Sequence, residues 1–285
     1  MQLFPDLFDQ SKQLSQAPFQ AQLAYHPPKG RYKIIHQGLI IPDLPAPLHY
    51  LNFRSLMGQP NVPILRNESA ICSTAQDTAT VMVSTSPHMV GQFNAYSIVK
   101  ECQFQKEQFQ FAERELISGC FPHFRILRKD NELSFDLNIN TSNIISYFIK
   151  LPMGMAEYWS VLCTCEGEVV YKDQKFSIQH IGAFEYGRAI NFSYLPLAFF
   201  THQIINLANN RQLVLMQLRD SFNRILQSRL YLRDASNGTV QMFDQNVHFK
   251  VHRVYPKVKT PNGHSMYLPR EFEWRYLGKD GYALS

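Results

Sequence analysis

The sequence predicts an all-β protein, and three observations carry that prediction. Short segments rich in Val, Ile, Phe, Tyr and Thr alternate apolar and polar positions along most of the chain. Turn-forming residues separate these segments at regular intervals, and no long stretch keeps the 3.6-residue period of an amphipathic helix. Aromatic residues make up 13% of the chain and charged residues 18%, a composition that suits a large aromatic-rich core and argues against disorder.

In chain order, the first thirty residues mix Gln, Ser and Pro with amphipathic pieces, and Leu3, Leu7, Leu14 and Phe19 would line one face of a short helix. From Arg31 the texture changes. RYKIIHQGLII and PLHYLNFRSLMG read as strands on either side of a bend at Pro42, Pro45 and Pro47, because proline cannot donate to a sheet ladder. Asn61 to Ser69 reads as a loop. Ala79 to Thr85, Asn94 to Phe104 and Gln108 to Glu113 read as strands. FPHFRILRK and ELSFDLNIN form a hairpin about Asp130-Asn131, with Leu133, Phe135, Leu137 and Ile139 on a buried face and Ser134, Asp136, Asn138 and Asn140 on a wet one. The apolar run from Ser142 to Pro152 is expected to connect two halves.

The segment Ala156 to Arg188, AEYWSVLCTCEGEVVYKDQKFSIQHIGAFEYGR, gathers more chemically useful side chains than any other. It reads as two or three strands separated by turns at Glu166-Gly167 and at Lys172 to Lys175. Alternation places Phe176, Ile178, His180, Phe184 and Tyr186 on one face and Ser177, Gln179, Ile181 and Glu185 on the other. Glu185 would join His180 only if a bulge at Gly182 shifted the register. Further hairpins follow: FFTHQIINL with RQLVLMQLRD, then NRILQSRLYLRD with TVQMFDQNVHFKVHRVY about Ser236-Asn237-Gly238, and a tail with a Pro-Asn-Gly turn and a last strand ending at Trp274.

Composition excludes several classes of function. The net charge of +5 is mild, and no run of Lys/Arg forms a nucleic-acid patch, so no nucleic-acid partner is expected. MQLFPDLFDQSKQLSQ lacks the parts of a signal peptide, and no stretch approaches the roughly 18 apolar residues of a membrane helix. Five cysteines, an odd number in a chain too large to need staples, fit reduced thiols and a cytoplasmic location. Cys163 and Cys165 share a strand face, but no further ligands stand at zinc spacing, so no metal is expected. Phosphate-cradling glycine loops, the nucleophile elbow and the His-Glu-x-x-His motif are absent from the sequence, and no cofactor is expected.

The order of hairpins resembles a known family, the two-domain lipocalin-like proteins that include AttH-like proteins, bacterial carotenoid hydratases and fungal lipocalin-type Diels–Alderases. The resemblance runs from about residue 45 to 276. It rests on LHYLNFRSLMG, FRILRKDNELSFDLNI, YWSVLCTCEGEVVYKDQKFSIQHIGAFEYG, HQIINLANNRQLVLMQLRD and YPKVKTPNGHSMYLP. It implies two lipocalin-like antiparallel β-barrel or sandwich domains packed together, over residues 31–152 and 153–285 after an N-terminal extension, 1–30. It also implies an apolar cavity in or between them. The position of the hydratases' proton-donating acid falls on Glu185 in GAFEYGR, which lacks their histidine–aspartate–histidine cluster.

The candidate catalytic residues are therefore Glu185, His180 and Tyr186, and the candidate ligand contacts are Trp159, Phe184, Cys163 and His202. A carboxyl in an apolar cavity has its charged form disfavoured and can stay a proton donor. A histidine suits proton transfer near neutral pH, and a tryptophan face can stabilise positive charge. The expected function is binding of a hydrophobic small molecule, a lipid or an isoprenoid. Two alternatives stand beside it: a cofactor-free lyase, isomerase or cyclase using acid catalysis on an unsaturated substrate, and a non-catalytic β scaffold that binds another protein.

Overall fold

One antiparallel sheet takes up the first eleven strands of the chain. In the computed structural model, which describes residues 10–15, 26–62, 65–88, 92–192, 197–259, 265–278 and 283–284, these are β1 (Ile34–Pro42), β2 (Tyr50–Met57), β3 (Thr78–Ser84), β4 (Gln92–Ser97), β5 (Cys102–Gln105), β6 (Gln108–Phe111), β7 (Glu115–Cys120), β8 (His123–Arg128), β9 (Leu133–Lys150), β10 (Ala156–Tyr171) and β11 (Gln174–Ala189). Their order in the sheet is β4-β3-β2-β1-β11-β10-β9-β8-β7-β6-β5. The sheet curls into a nearly closed barrel. Across the seam, the Tyr96 hydroxyl on β4 donates to Glu115 on β7 at 2.8 Å, and the guanidinium of Arg128, the ladder and ion-pair partner of Glu115 on β8, donates to Gln92 on β4 at 2.6 Å.

The barrel core is built by the alternation seen in the sequence. Leu133, Phe135, Leu137 and Ile139 of β9 are buried, as are Trp159, Val161, Cys163 and Cys165 of β10 and Ile178, Phe184 and Tyr186 of β11. The interior is filled by these rings: Trp159 lies 5.2 Å from Tyr186, and Phe184 lies 4.7 Å from Phe124 between ring centroids.

Four further strands, β12 (Phe199–Leu207), β13 (Arg211–Arg219), β14 (Ile225–Asp234) and β15 (Thr239–Phe243), make a second sheet, and β16 (Val247–Lys259), β17 (Ser265–Leu277) and β18 (Ala283–Leu284) make a third. The second sheet lies on the outer face of the barrel. Phe148 and Ala183 pack there against Ile204, Val214, Met216 and Tyr231. The other face of the second sheet packs Leu213, Leu215 and Leu230 on Val247 and Trp274 of the third. Two irregularities interrupt the pairing of β9 with β10, at Tyr158/Trp159 and Val161/Cys163. Polar side chains of the second sheet reach backbone carbonyls near them: Tyr231 donates to Tyr147 O at 2.8 Å, Gln227 to Phe148 O at 3.1 Å and Arg233 to Ser160 O at 2.9 Å.

Several local expectations change. Glu166-Gly167 is not a turn: β10 runs through it, Gly167 pairs with Leu137 and Ile178, and a Cβ there would stand 2.0 Å from Asp136 O. Glycine is needed because strands cross closely at that point. The turn falls at Lys172-Asp173, both with positive φ. Asn94 to Phe104 is interrupted by one helical turn, α2 (Ile98–Glu101), because the Ser97 side chain accepts from Lys100 N and caps it. TVQMFDQNVHFKVHRVY breaks between β15 and β16 at Asn246, whose φ is 57°. Ser142 to Lys150 continues β9, and β9 and β10, on either side of residues 152 and 153, pair along their length. Of the expected N-terminal helix only α1 (Ser11–Leu14) is described; Leu3, Leu7 and Phe19, like the Pro-Asn-Gly turn at 261–263, lie outside the described residues. No helix among the described residues is long and apolar enough to cross a membrane.

Candidate active site

Strand β11 presents its two faces to two different environments. It pairs with β10 in unbroken register from Gln174 to Ala189, so Gly182 carries no bulge. His180, Phe184 and Tyr186 therefore share the barrel side. Glu185 points the other way and is fully buried between the barrel wall and the second sheet. What holds Glu185 there is a matter of neighbours. Gly38 sits directly across the ladder on β1, where a Cβ would stand 3.5 Å from Glu185 Oε2 and 3.3 Å from His36 Nε2, and Gly187 leaves room for the Tyr158 ring.

Five strands deliver side chains to the carboxylate or its surround. From β10, the Tyr158 hydroxyl donates to Oε2 at 2.7 Å. From β1, His36 Nε2 lies 3.6 Å from Oε2. The other ring nitrogen of His36 lies 3.0 Å from Ser55 O, which can only accept. Nδ1 therefore carries the hydrogen, and Nε2 is the nitrogen that faces Glu185. From β12, His202 Nδ1 lies 3.3 Å from Oε1 with its side chain 2% exposed. On β2, Arg54 stands opposite Gly38 and adds a nearby positive charge. From β14, the buried Arg233 guanidinium donates to Ser146, Gln212 and Ser160 O, all neutral acceptors, and Glu185 is the negative charge acting on it. Phe148 stacks edge-on against both Tyr158 and His202, at 4.9 and 5.5 Å, and Phe200 completes the apolar surround.

The protonation pattern follows from this surround. Burial alone would raise the Glu185 carboxyl, but His202, His36 and Arg54 outweigh it and hold the group well below the usual carboxylate range. Burial lowers His202 to about 4, against the attraction of Glu185. Near neutral pH the site thus holds a carboxylate, a neutral His202 and a protonated Tyr158, whose hydroxyl is pushed far up by burial and by Glu185. This balance departs from the sequence-based expectation of a neutral, proton-donating Glu185: the burial is present, and the Arg54 charge opposes it, joined by His36 and His202 where those rings carry a proton. Glu185 Oε1 and both nitrogens of His202 have no hydrogen-bond partner among the described residues.

The remaining candidates lie elsewhere. Tyr186, pushed up to about 12 by burial, accepts a hydrogen bond from His26 N at 3.3 Å inside the barrel end. Trp159, Phe184 and Cys163 are core residues, and Cys163 Sγ touches Cys165 Sγ at 3.8 Å. His180 is partly buried beside Cys165 on the neighbouring strand. Of the expected set, Glu185 and His202 come together on the outer face, and Trp159 and Tyr186 meet on the barrel side. Tyr158, His36, Arg54, Arg233 and Phe148 complete the site with no motif to mark them; the signals in the sequence are the His-Gln-Gly triplet at 36–38 and the face of β10 opposite Trp159. No group of three or more His, Cys, Asp or Glu among the described residues could hold a metal ion. Two surface depressions, of about 470 and 370 Å³, border Tyr96 with Arg114 and Pro27 with Phe104, away from Glu185.

Comparison with known proteins supports the fold. The chain is similar to the structure of a putative AttH from Nitrosomonas europaea, with a TM-score of 0.60, 12% identity, and coverage of 85% of this chain and 77% of that one. Weaker likenesses are to kievitone hydratase from Nectria haematococca (TM-score 0.49, 10% identity, 90% and 81% coverage) and to CghA with Sch210972 (0.45, 9%, 88% and 74%). The likeness to the AttH structure, at 12% identity, speaks for a shared all-β, lipocalin-like fold alone. No curated protein matches the sequence. The model of the family described as "Family of unknown function (DUF6670)" matches residues 54–284, and the chain belongs to that family.

Proposed function

We propose that this member of the family binds a hydrophobic small molecule in the seam between the barrel and the second sheet and moves a proton on it with its own side chains. The observation that carries the reading is the set of orphaned polar atoms: Glu185 Oε1 and both ring nitrogens of His202, buried, within 3.3 Å of one another at the nearest approach, and unpartnered among the described residues. Leaving a buried polar group unsatisfied costs about 1–3 kcal/mol. Such a cost is retained at sites that do chemistry more readily than in plain cores.

In this reading Glu185, held ionised, is the base. It takes a proton from an acidic C–H or O–H of the ligand, and the protonated carboxyl passes a proton to the Tyr158 oxygen as the Tyr158 hydroxyl proton is delivered to a second atom of the same ligand. The charge balance is closed, and the net change is an isomerisation or the opening step of an elimination or ring closure. Phe148, Phe200 and Tyr158 supply the apolar wall that a hydrophobic ligand needs. The resemblance of the sequence to a family containing hydratases and cyclases agrees with this assignment.

The test begins with native mass spectrometry of the purified protein and extraction of any bound compound, followed by incubation with polyenes, isoprenoids and fatty acids. Glu185→Gln is expected to keep uptake and lose conversion. Conversion that survives in Glu185→Gln overturns the assignment. A wild type that takes up ligand and never converts it favours a binding protein, and a wild type that takes up none favours a scaffold.

A further inference from the structure

The β16–β17 hairpin leaves the body of the molecule partway along its length. At its base Val247 and Trp274 are 4% and 7% exposed against the second sheet. Beyond them the apolar positions open to solvent in sequence: Val251 and Phe272, paired across the ladder, are followed by Val254, Tyr255 and Tyr267, the last 66% exposed. A two-stranded ribbon without a covering layer is marginal in water, yet this one runs on past the sheet that supports it.

Its charge is as uneven as its packing. Residues 247–277 carry six Lys/Arg (Lys250, Arg253, Lys257, Lys259, Arg270, Arg275) against two acids, Glu271 and Glu273, so +4 of the chain's +5 lies on this hairpin. Strand β16 itself has no acid. Glu271 pairs with Arg253, and Glu273 with Arg275 and His252. Lys250, Lys257, Lys259 and Arg270 have no carboxylate partner among the described residues, and Arg270 stacks over Tyr255 at 5.3 Å.

We propose that the hairpin docks on an anionic lipid surface, with its lysines at the headgroups and Val251, Val254, Tyr255, Tyr267 and Phe272 at the boundary with the acyl chains. Charge complementarity selects this occupant. Two copies of the hairpin would oppose +4 with +4, and the rest of the chain, at +1, offers no balancing acidic excess. Aliphatic side chains at Val251 and Val254 favour a lipid boundary over nucleic acid, which would call for base-stacking rings along the whole groove. Aromatic side chains with a polar tip partition to membrane interfaces, and basic side chains near an anionic leaflet strengthen binding about fivefold each. The inference stands apart from the Glu185 site, which lies in a different layer.

Vesicle flotation with the full chain tests it. The wild type is expected to float with phosphatidylserine-containing vesicles and not with phosphatidylcholine alone, and to be released by high salt. Lys250→Gln/Lys257→Asn/Lys259→Gln is expected to bind about a hundredfold more weakly; Asn is used at 257 because the backbone there has a φ of 55°. Val254→Ser/Tyr267→Ser, with all charges kept, is expected to weaken flotation and to raise its salt sensitivity. Circular dichroism that matches the wild type establishes that both variants are folded. Equal binding to both vesicle types, absence of flotation at low salt, preferential capture of single-stranded nucleic acid, or burial of the hairpin in a dimer by sedimentation and cross-linking each overturns the proposal.

Discussion

The two faces of β11 differ more than any two separate regions of this molecule. Toward the barrel, Phe184 and Tyr186 join an aromatic core that includes Phe121, Phe124 and Trp159. One residue away in each direction, on the opposite side of the same backbone, Glu185 lies in a layer that contains two histidines, a tyrosine and two arginines. The lesson is that a strand with both faces buried can separate packing from chemistry at a spacing of one residue. The bulge that would have merged the two is absent, and the two sets of side chains remain apart.

The first way to break this contrast is to empty the inner face. Phe184→Ala is expected to lower stability by about 3–5 kcal/mol in chemical denaturation, while the titration of His202, followed by NMR, stays where it is. A shifted His202 titration in a folded Phe184→Ala protein would show that the two faces are coupled after all.

The outer face should reveal itself through pH. His202, at about 4 when folded and 6.5 when unfolded, is a histidine that folding keeps neutral. The unfolded chain binds the extra proton, so stability is full above about pH 6.5 and declines as pH falls toward 4, by on the order of 3 kcal/mol. Glu185, lowered on folding, adds stability that is fully present above its ordinary value of 4.5 and is lost only at lower pH. Replacing His202 with Gln should flatten the pH 6.5 to 4 portion of the stability curve. An unchanged slope there would remove His202 from the account.

Two smaller substitutions sharpen the comparison. Gly38→Ala places a methyl group 3.3 Å from His36 Nε2; it should cost about 1 kcal/mol and move the His36 imidazole resonances, with little change in the near-ultraviolet signal of Trp159. His180→Gln should alter thermal stability by less than about 0.5 kcal/mol and leave proton chemistry at Glu185 intact, because it lies on the other face and is partly exposed. A loss of conversion in His180→Gln equal to that in Glu185→Gln would contradict the separation.

Much of the fold was legible in advance. Period-two alternation correctly placed Leu133, Phe135, Leu137 and Ile139 inside, and Phe184 and Tyr186 opposite Glu185, because each side chain's direction is a local property of extended backbone. Turn chemistry was less reliable. Glu166-Gly167 resembled a turn, but its glycine answers to a close approach from the neighbouring strand, which only the paired sheet reveals.

The sequence by itself determined the strands, their faces and the single carboxylate worth watching. Tertiary structure decided what that carboxylate meets. His36, Arg54, Tyr158, His202 and Arg233 come from five strands, at separations of 149, 131, 27, 17 and 48 residues from Glu185.

 Whether a buried carboxyl keeps or sheds its proton depends on the charges within a few ångströms. His36 and Arg54 reach Glu185 through strand pairing in the barrel, and His202 and Arg233 only once the second sheet has closed over the barrel wall, so alternation could put Glu185 on a face but not predict its ionisation.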